Sequence, residues 1–269
     1  MAEESADTTE LDAIPTFVAE VVAVQQNAPR MKRITVGGDD LARFVPKGPD
    51  QFLYLLLPPP GREELTVGTD FNWTAYREMP EEERPVGAYY TVRHHRPERN
   101  EIDLDLVLHD VPSGVEGGHA ARWAMRAKPG DPVALWGPRI AYEPSDSVTD
   151  IVVFADETGL PAAFCVAEAL PEGRRARLVI EVDGPADHLP APQRDGVQVI
   201  WLHRNGAVPG TTSLLEQAAR DMAPPDPATT YVYGGAESRA MTSIRRIVRR
   251  DWNLPKESVS LVPYWRRTG

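Results

Sequence analysis

The chain has 269 residues, 42% apolar and 26% charged, with 40 acidic against 29 basic residues, a formal net charge of −11 and one cysteine. This is the composition of a folded soluble protein. The lone Cys165 closes no intramolecular disulfide and cannot supply the four thiolates of an iron–sulfur cluster, so any electron carrier is expected to be organic, or a metal held by nitrogen and oxygen. The negative balance argues against a nucleic-acid binder, and an anionic ligand would need a local basic patch. Residues 1–15 are acidic and lack the positive start and apolar core of a signal peptide, so they are expected to form a disordered tail. The most apolar run, residues 52–57, is too short to cross a bilayer, so no membrane insertion and a cytoplasmic location are expected.

In chain order, the first half reads as strands. Residues 16–24 and 31–37 are rich in Val, Ile and Thr; 51–57 is stopped by Pro58, Pro59 and Pro60; 89–93, 102–109 and 132–136 complete a set of six. Short strands with turn residues between them predict a six-stranded antiparallel barrel over residues 16–143. Helix is expected there only at 120–127 and within the 73–83 insertion. The second half alternates: strands at 150–155, 178–182, 197–202, 229–233 and 258–262, with helices at 160–169, 213–221 and 237–251. That alternation predicts an α/β domain with a parallel sheet over residues 144–269.

Five segments carry candidate chemistry. Tyr90-Thr91-Val92-Arg93 puts a ring and a guanidinium on one barrel strand, suited to a flat cofactor and a pyrophosphate, or to an ordinary edge strand. His109, at a strand end, would bond a cofactor or merely cap the strand. Gly117-Gly118 opens the helix Ala120-Ala121-Arg122-Trp123, where free N–H groups suit a pyrophosphate; Trp123 reads as core or as a contact. Asp156 and Thr158 follow the first strand of the sheet and suit phosphate or ribose, or cap the next helix. Tyr233-Gly234-Gly235-Ala236-Glu237 reads as strand, glycine turn and helix start. Pro263-Tyr264-Trp265-Arg266 clusters rings and charge near the chain end, on a cofactor or in packing.

These segments, in this order, resemble the siderophore-interacting proteins, which are FAD-dependent ferric-siderophore reductases on the ferredoxin-reductase plan. The resemblance implies cofactors, the flavin on the barrel and the nicotinamide on the sheet, held by Tyr90, Thr91, Val92, Arg93, His109, Gly117, Gly118, Ala120, Ala121, Trp123, Asp156, Thr158 and Trp265, with FAD as the flavin. It implies a ferric siderophore met by Lys47, Arg139, Glu237 and Arg266, with NADH or NADPH as donor and ferredoxin as the alternative. Three positions depart from the family: Ala88 stands where an arginine precedes the motif tyrosine, Tyr54 where a third-strand lysine is common, and His119 where a proline is usual. The implied chemistry is reduction of a tight ferric–oxygen complex to a weaker ferrous one. No paired carboxylates of glycosidase type, no His-Glu-x-x-His, no serine-hydrolase elbow and no P-loop compete with it. The alternatives are a general flavin or ferredoxin-type NAD(P)H reductase and a siderophore carrier without redox work.

Overall fold

A computed structural model describes residue 11 and residues 13–108 and 118–267. Contacts divide the chain into two compact units: one runs up to Lys47 and resumes over Gln51–Arg139, and the other takes Gly48–Asp50 and everything from Ile140 onward.

The first unit is a closed antiparallel barrel. Its strands are β1 (Thr16–Ala28), β2 (Met31–Gly37), β3 (Phe52–Leu57), β4 (Val86–Arg96), β5 (Glu101–Val107) and β6 (Pro132–Arg139), in the order β1-β2-β5-β4-β3-β6, with β6 returning to β1. β1, β4 and β6 run several residues beyond their predicted ends. Closure tilts strands and lengthens them, and bulges at Val21/Ala23 in β1 and Val92/His94 in β4 bend them round. Alternate residues fill the interior, among them Phe17, Ile34, Leu53, Leu55, Leu104 and Leu135. Each contributes about 2 kcal/mol by leaving water. Helix α1 (Trp73–Glu78), N-capped by Asn72 accepting from Ala75 N at 2.8 Å, lies in the 58–85 insertion. Helix α2 (Gly118–Arg126) adds Ala120, Trp123 and Ala124 to the barrel core. Lys32 Nζ donates to the carbonyls of Ala124 and Met125, placing a cation at the negative end of α2.

A second apolar cluster on the barrel joins Leu56, Phe71, Ala134 and Trp136, with Leu11, Ile14, Trp73 and Tyr76 packed against it. Leu11 and Ile14 fall within the stretch read as a tail, and their apolar side chains find this cover. Asp103 on β5 is buried, which works against its charge. Hydrogen bonds from Arg96, His94 and Thr35 outweigh that penalty and hold the carboxyl well below the usual range.

The second unit is a five-stranded parallel sheet: β7 (Asp150–Ala155), β8 (Arg175–Val182), β9 (Val197–His203), β10 (Thr230–Glu237) and β11 (Val259–Trp265), ordered β11-β10-β7-β8-β9. Helices α3 (Leu160–Glu168), α4 (Leu214–Asp221) and α5 (Ser238–Arg250) make the crossovers. α3 is buried nearly all round, whereas α5 buries one ridge, Met241, Ile244, Ile247 and Val248, at helical spacing. The chain winds outward from β7 in both directions, which opens a crevice at the carboxyl ends of β7 and β10. The predicted glycine turn at 234–235 is not a turn. Both glycines lie inside β10 and pair with β7 and β11. Space explains them: a Cβ on Gly235 would come within 2.5 Å of the Tyr264 ring, and one on Gly234 within 2.1 Å of the Phe154 carbonyl.

Candidate functional site

On β4 the predicted residues split between two faces. Tyr90 and Val92 pack against the barrel core, and burial pushes the Tyr90 phenol above its ordinary range. Thr91 alternates with them and is 5% exposed; its Oγ1 is buried and has no hydrogen-bond partner among the described residues. Arg93, at the bulge, is 8% exposed.

At α2, Gly118, Ala120, Ala121 and Trp123 are buried, and Trp123 belongs to the core. Packing is thus what Val92, Ala120, Ala121 and Trp123 do directly, because their side chains face inward. Arg122, which motif reading quoted without assigning a role, is more informative. Its Nη2 lies 3.2 Å from His119 Nδ1, while its Nη1 is buried without a partner among the described residues. Burial, and then the Arg122 charge, lower the His119 pKa, so this imidazole is neutral near pH 7 and can accept from the guanidinium. His109 and Gly117 lie outside the described residues.

In the second unit the structure gathers Asp156, Thr158, Glu237 and Trp265 into one knot. Asp156 Oδ1 accepts from Thr158 N at 2.8 Å and Thr158 Oγ1 at 2.5 Å. Its Oδ2 accepts from Glu237 N at 3.0 Å and Trp265 Nε1 at 2.7 Å. Both oxygens of this buried carboxylate are thereby used in fastening the ends of β7, β10 and β11. Glu237 is also committed, accepting from Arg239 N and Arg267 N. Of these residues, Asp156 and Glu237 line a cleft of about 270 Å³ that Glu181, Thr211, Thr212, Arg239 and Arg267 also line. Behind it, the buried Arg204 bridges Glu157 and reaches Glu181 at 3.6 Å. Burial raises the pKa of both carboxyls against that pull. The remaining predicted residues are dispersed: Lys47 and Arg266 are exposed, and Arg139 lies on the aromatic outer face of β3, β4 and β6.

Residues 20–142 match the siderophore-interacting FAD-binding domain, and residues 148–268 match the siderophore-interacting protein domain that follows it. The chain belongs to the siderophore-interacting protein family. A siderophore utilization protein from T. fusca, of known crystal structure, is 32% identical, with 95% of this chain and 94% of that one covered and a TM-score of 0.82. Ferric vibriobactin reductase of Vibrio cholerae is 24% identical over 97% of this chain and 93% of its own. The NADPH-dependent ferric-chelate reductase of Escherichia coli is 27% identical over 91% of each.

The barrel of this siderophore-interacting protein fits its cofactor by the chemistry of its donors. The Thr91 hydroxyl and the Arg122 N–H are buried polar groups with no partner among the described residues. Leaving such groups unmet costs about 1–3 kcal/mol each, and a flavin ring edge and a pyrophosphate are the kinds of partner they lack. Thr91 was legible from its motif. Arg122 stood beside the predicted residues, and only its orphaned nitrogen singles it out.

Proposed function

We propose that this protein is an FAD-dependent ferric-siderophore reductase that acts in the cytoplasm with NADH or NADPH as electron donor. The observation that carries the reading is the pair of buried polar groups, Thr91 Oγ1 and Arg122 Nη1, without a partner among the described residues, on a barrel that matches the siderophore-interacting FAD-binding domain. The relatives named as ferric vibriobactin and ferric-chelate reductases support the substrate class, and the latter's NADPH dependence supports a nicotinamide donor over ferredoxin.

When bound, FAD takes electrons in pairs and delivers them singly, which is what links a nicotinamide to ferric iron. Thr91 would hold the ring system by a hydrogen bond at its edge, and Tyr90, packed against the barrel core, would back the strand that carries it. Arg93, Arg122 and the N–H groups at the start of α2 would hold the diphosphate. Ala88 removes one cation that other family members bring to that task, and the Arg122 guanidinium stands in reserve for it. Asp156 and Glu237 line the crevice, Thr158 and Trp265 fasten it through Asp156, and Arg239 and Arg267 offer charge there to an anionic nucleotide. The chain needs no general acid or nucleophile for the reaction, because no covalent bond of the siderophore is broken. Once the iron is ferrous, its hard oxygen ligands lose hold and the metal departs.

The test is direct. The purified protein should carry FAD and, anaerobically, reduce a ferric siderophore with NADH or NADPH while a ferrous chelator traps the product. Protein that binds no FAD, or that reduces free flavin or oxidised ferredoxin but no ferric complex, would refute the proposal.

A further inference from the structure

Outward from Thr91 the barrel carries an aromatic face. Phe52 and Tyr89 meet edge to face at 5.5 Å, Tyr54 and Tyr89 at 4.8 Å, Tyr54 and Trp73 at 5.2 Å, and Trp73 and Trp136 at 5.4 Å. Arg139 stands among these rings. Its guanidinium lies 5.7 Å from the centroid of Phe52, 5.7 Å from Trp136 and 6.0 Å from Tyr89, and its Nη1 donates to the Tyr89 hydroxyl at 3.3 Å. No carboxylate among the described residues pairs with it. Register fixes the placement: Thr91 is opposite Phe52, Phe52 opposite Arg139, and Tyr89 opposite Tyr54, so all of them share the face of Thr91. Tyr89 is 39% exposed.

We infer that this face is an aryl-recognition platform, on which Phe52, Tyr89 and Arg139 select ferric complexes whose chelating arms carry aromatic rings. The inference rests on the reductase reading and adds the substrate class. An incoming aryl ring can add to the ring contacts of Phe52 and Tyr89 and to a guanidinium that no carboxylate among the described residues pairs with; an aliphatic arm gains none of these attractions. Charge alone is a poor means of selection here. The chain carries −11 overall, and one arginine rather than a cluster of cations marks the platform, with Tyr54 filling a position where lysine would add charge. Rings therefore carry the discrimination and Arg139 orients them.

A matched pair of uncharged complexes isolates that term. Tris(benzohydroxamato)iron(III) and tris(acetohydroxamato)iron(III) present the same oxygen donors and differ in the phenyl ring. Binding to the oxidised holoprotein is measured by equilibrium dialysis with excess hydroxamic acid and no nicotinamide. The aryl complex should bind about tenfold more tightly, since each favourable ring contact is worth about a factor of three. Tyr89→Leu and Arg139→Gln should each cut the preference to about threefold by weakening the aryl complex alone, and Tyr89→Phe should keep it. Equal affinities in the wild type, or a preference that survives both Tyr89→Leu and Arg139→Gln, would overturn the platform. NADPH-driven reduction of both complexes by the same preparation separates the two ideas. Turnover of both complexes with equal binding sinks the platform alone. Tight aryl binding without any reduction sinks the reductase reading and leaves the platform standing.

Discussion

Thr91→Val offers a test in which two measurements must move in opposite directions. Valine keeps the branched shape and strand preference of threonine and removes the hydroxyl. Thr91 Oγ1 is buried with no hydrogen-bond partner among the described residues, at a residue only 5% exposed. A neutral buried group left unmet costs about 1–3 kcal/mol, so deleting it should stabilise the apoprotein by about 1 kcal/mol, or about 2–4 °C in thermal midpoint. If the hydroxyl serves FAD, the same change removes a hydrogen bond from the complex and weakens FAD roughly 5–30-fold. The assays are a thermal melt of flavin-stripped protein and an FAD titration followed by flavin fluorescence. An apoprotein that becomes less stable would show that the hydroxyl is satisfied in the fold. Unchanged FAD affinity would remove Thr91 from the cofactor site.

Three further outcomes follow from the geometry. Arg93→Ala should lose FAD on dialysis; a variant that keeps its full complement of flavin would free Arg93 from that role. Asp103→Asn should destabilise the barrel by about 3 kcal/mol in urea titration, since it breaks a buried bidentate pair with Arg96. The folded Asp103 pKa is depressed, so this stability is present above the unfolded value near about 4 and is lost as pH falls below it. The wild type should therefore weaken on acidification more steeply than the variant, and parallel profiles would refute the pairing. Gly235→Ala should cost about 1–3 kcal/mol through the collision with Tyr264, read as a lowered urea midpoint; a neutral effect would mean that β11 yields freely.

The order of elements was legible because each periodicity belongs to one kind of structure. Alternation in the first half gave the barrel strands, and alternating strand and helix gave the parallel sheet. What escaped was set by distance along the chain or by space. Phe52, Tyr89 and Arg139 come from three strands, and nothing local in any of them announces a shared face. Gly234-Gly235 has the composition of a turn, and only the neighbouring Tyr264 ring and Phe154 carbonyl show that bulk, not chain reversal, selects glycine. Asp156 reads equally well as a ligand or a cap until its donors appear, 81 and 109 residues further along. Arg122 sat inside a motif already quoted, but a solvated and an orphaned guanidinium look alike in one dimension.

The fastening at Asp156 has a consequence for how the nucleotide-side crevice comes into being. Its carboxylate holds the indole of Trp265, from the edge strand β11, and the amide of Glu237, from the strand beside it. The first four strands of the sheet therefore cannot assemble the finished crevice by themselves. A fragment ending before Trp265 would keep most of its sheet and still present a slack, misshapen mouth, and a graft of this crevice onto another scaffold would have to carry its edge strand along.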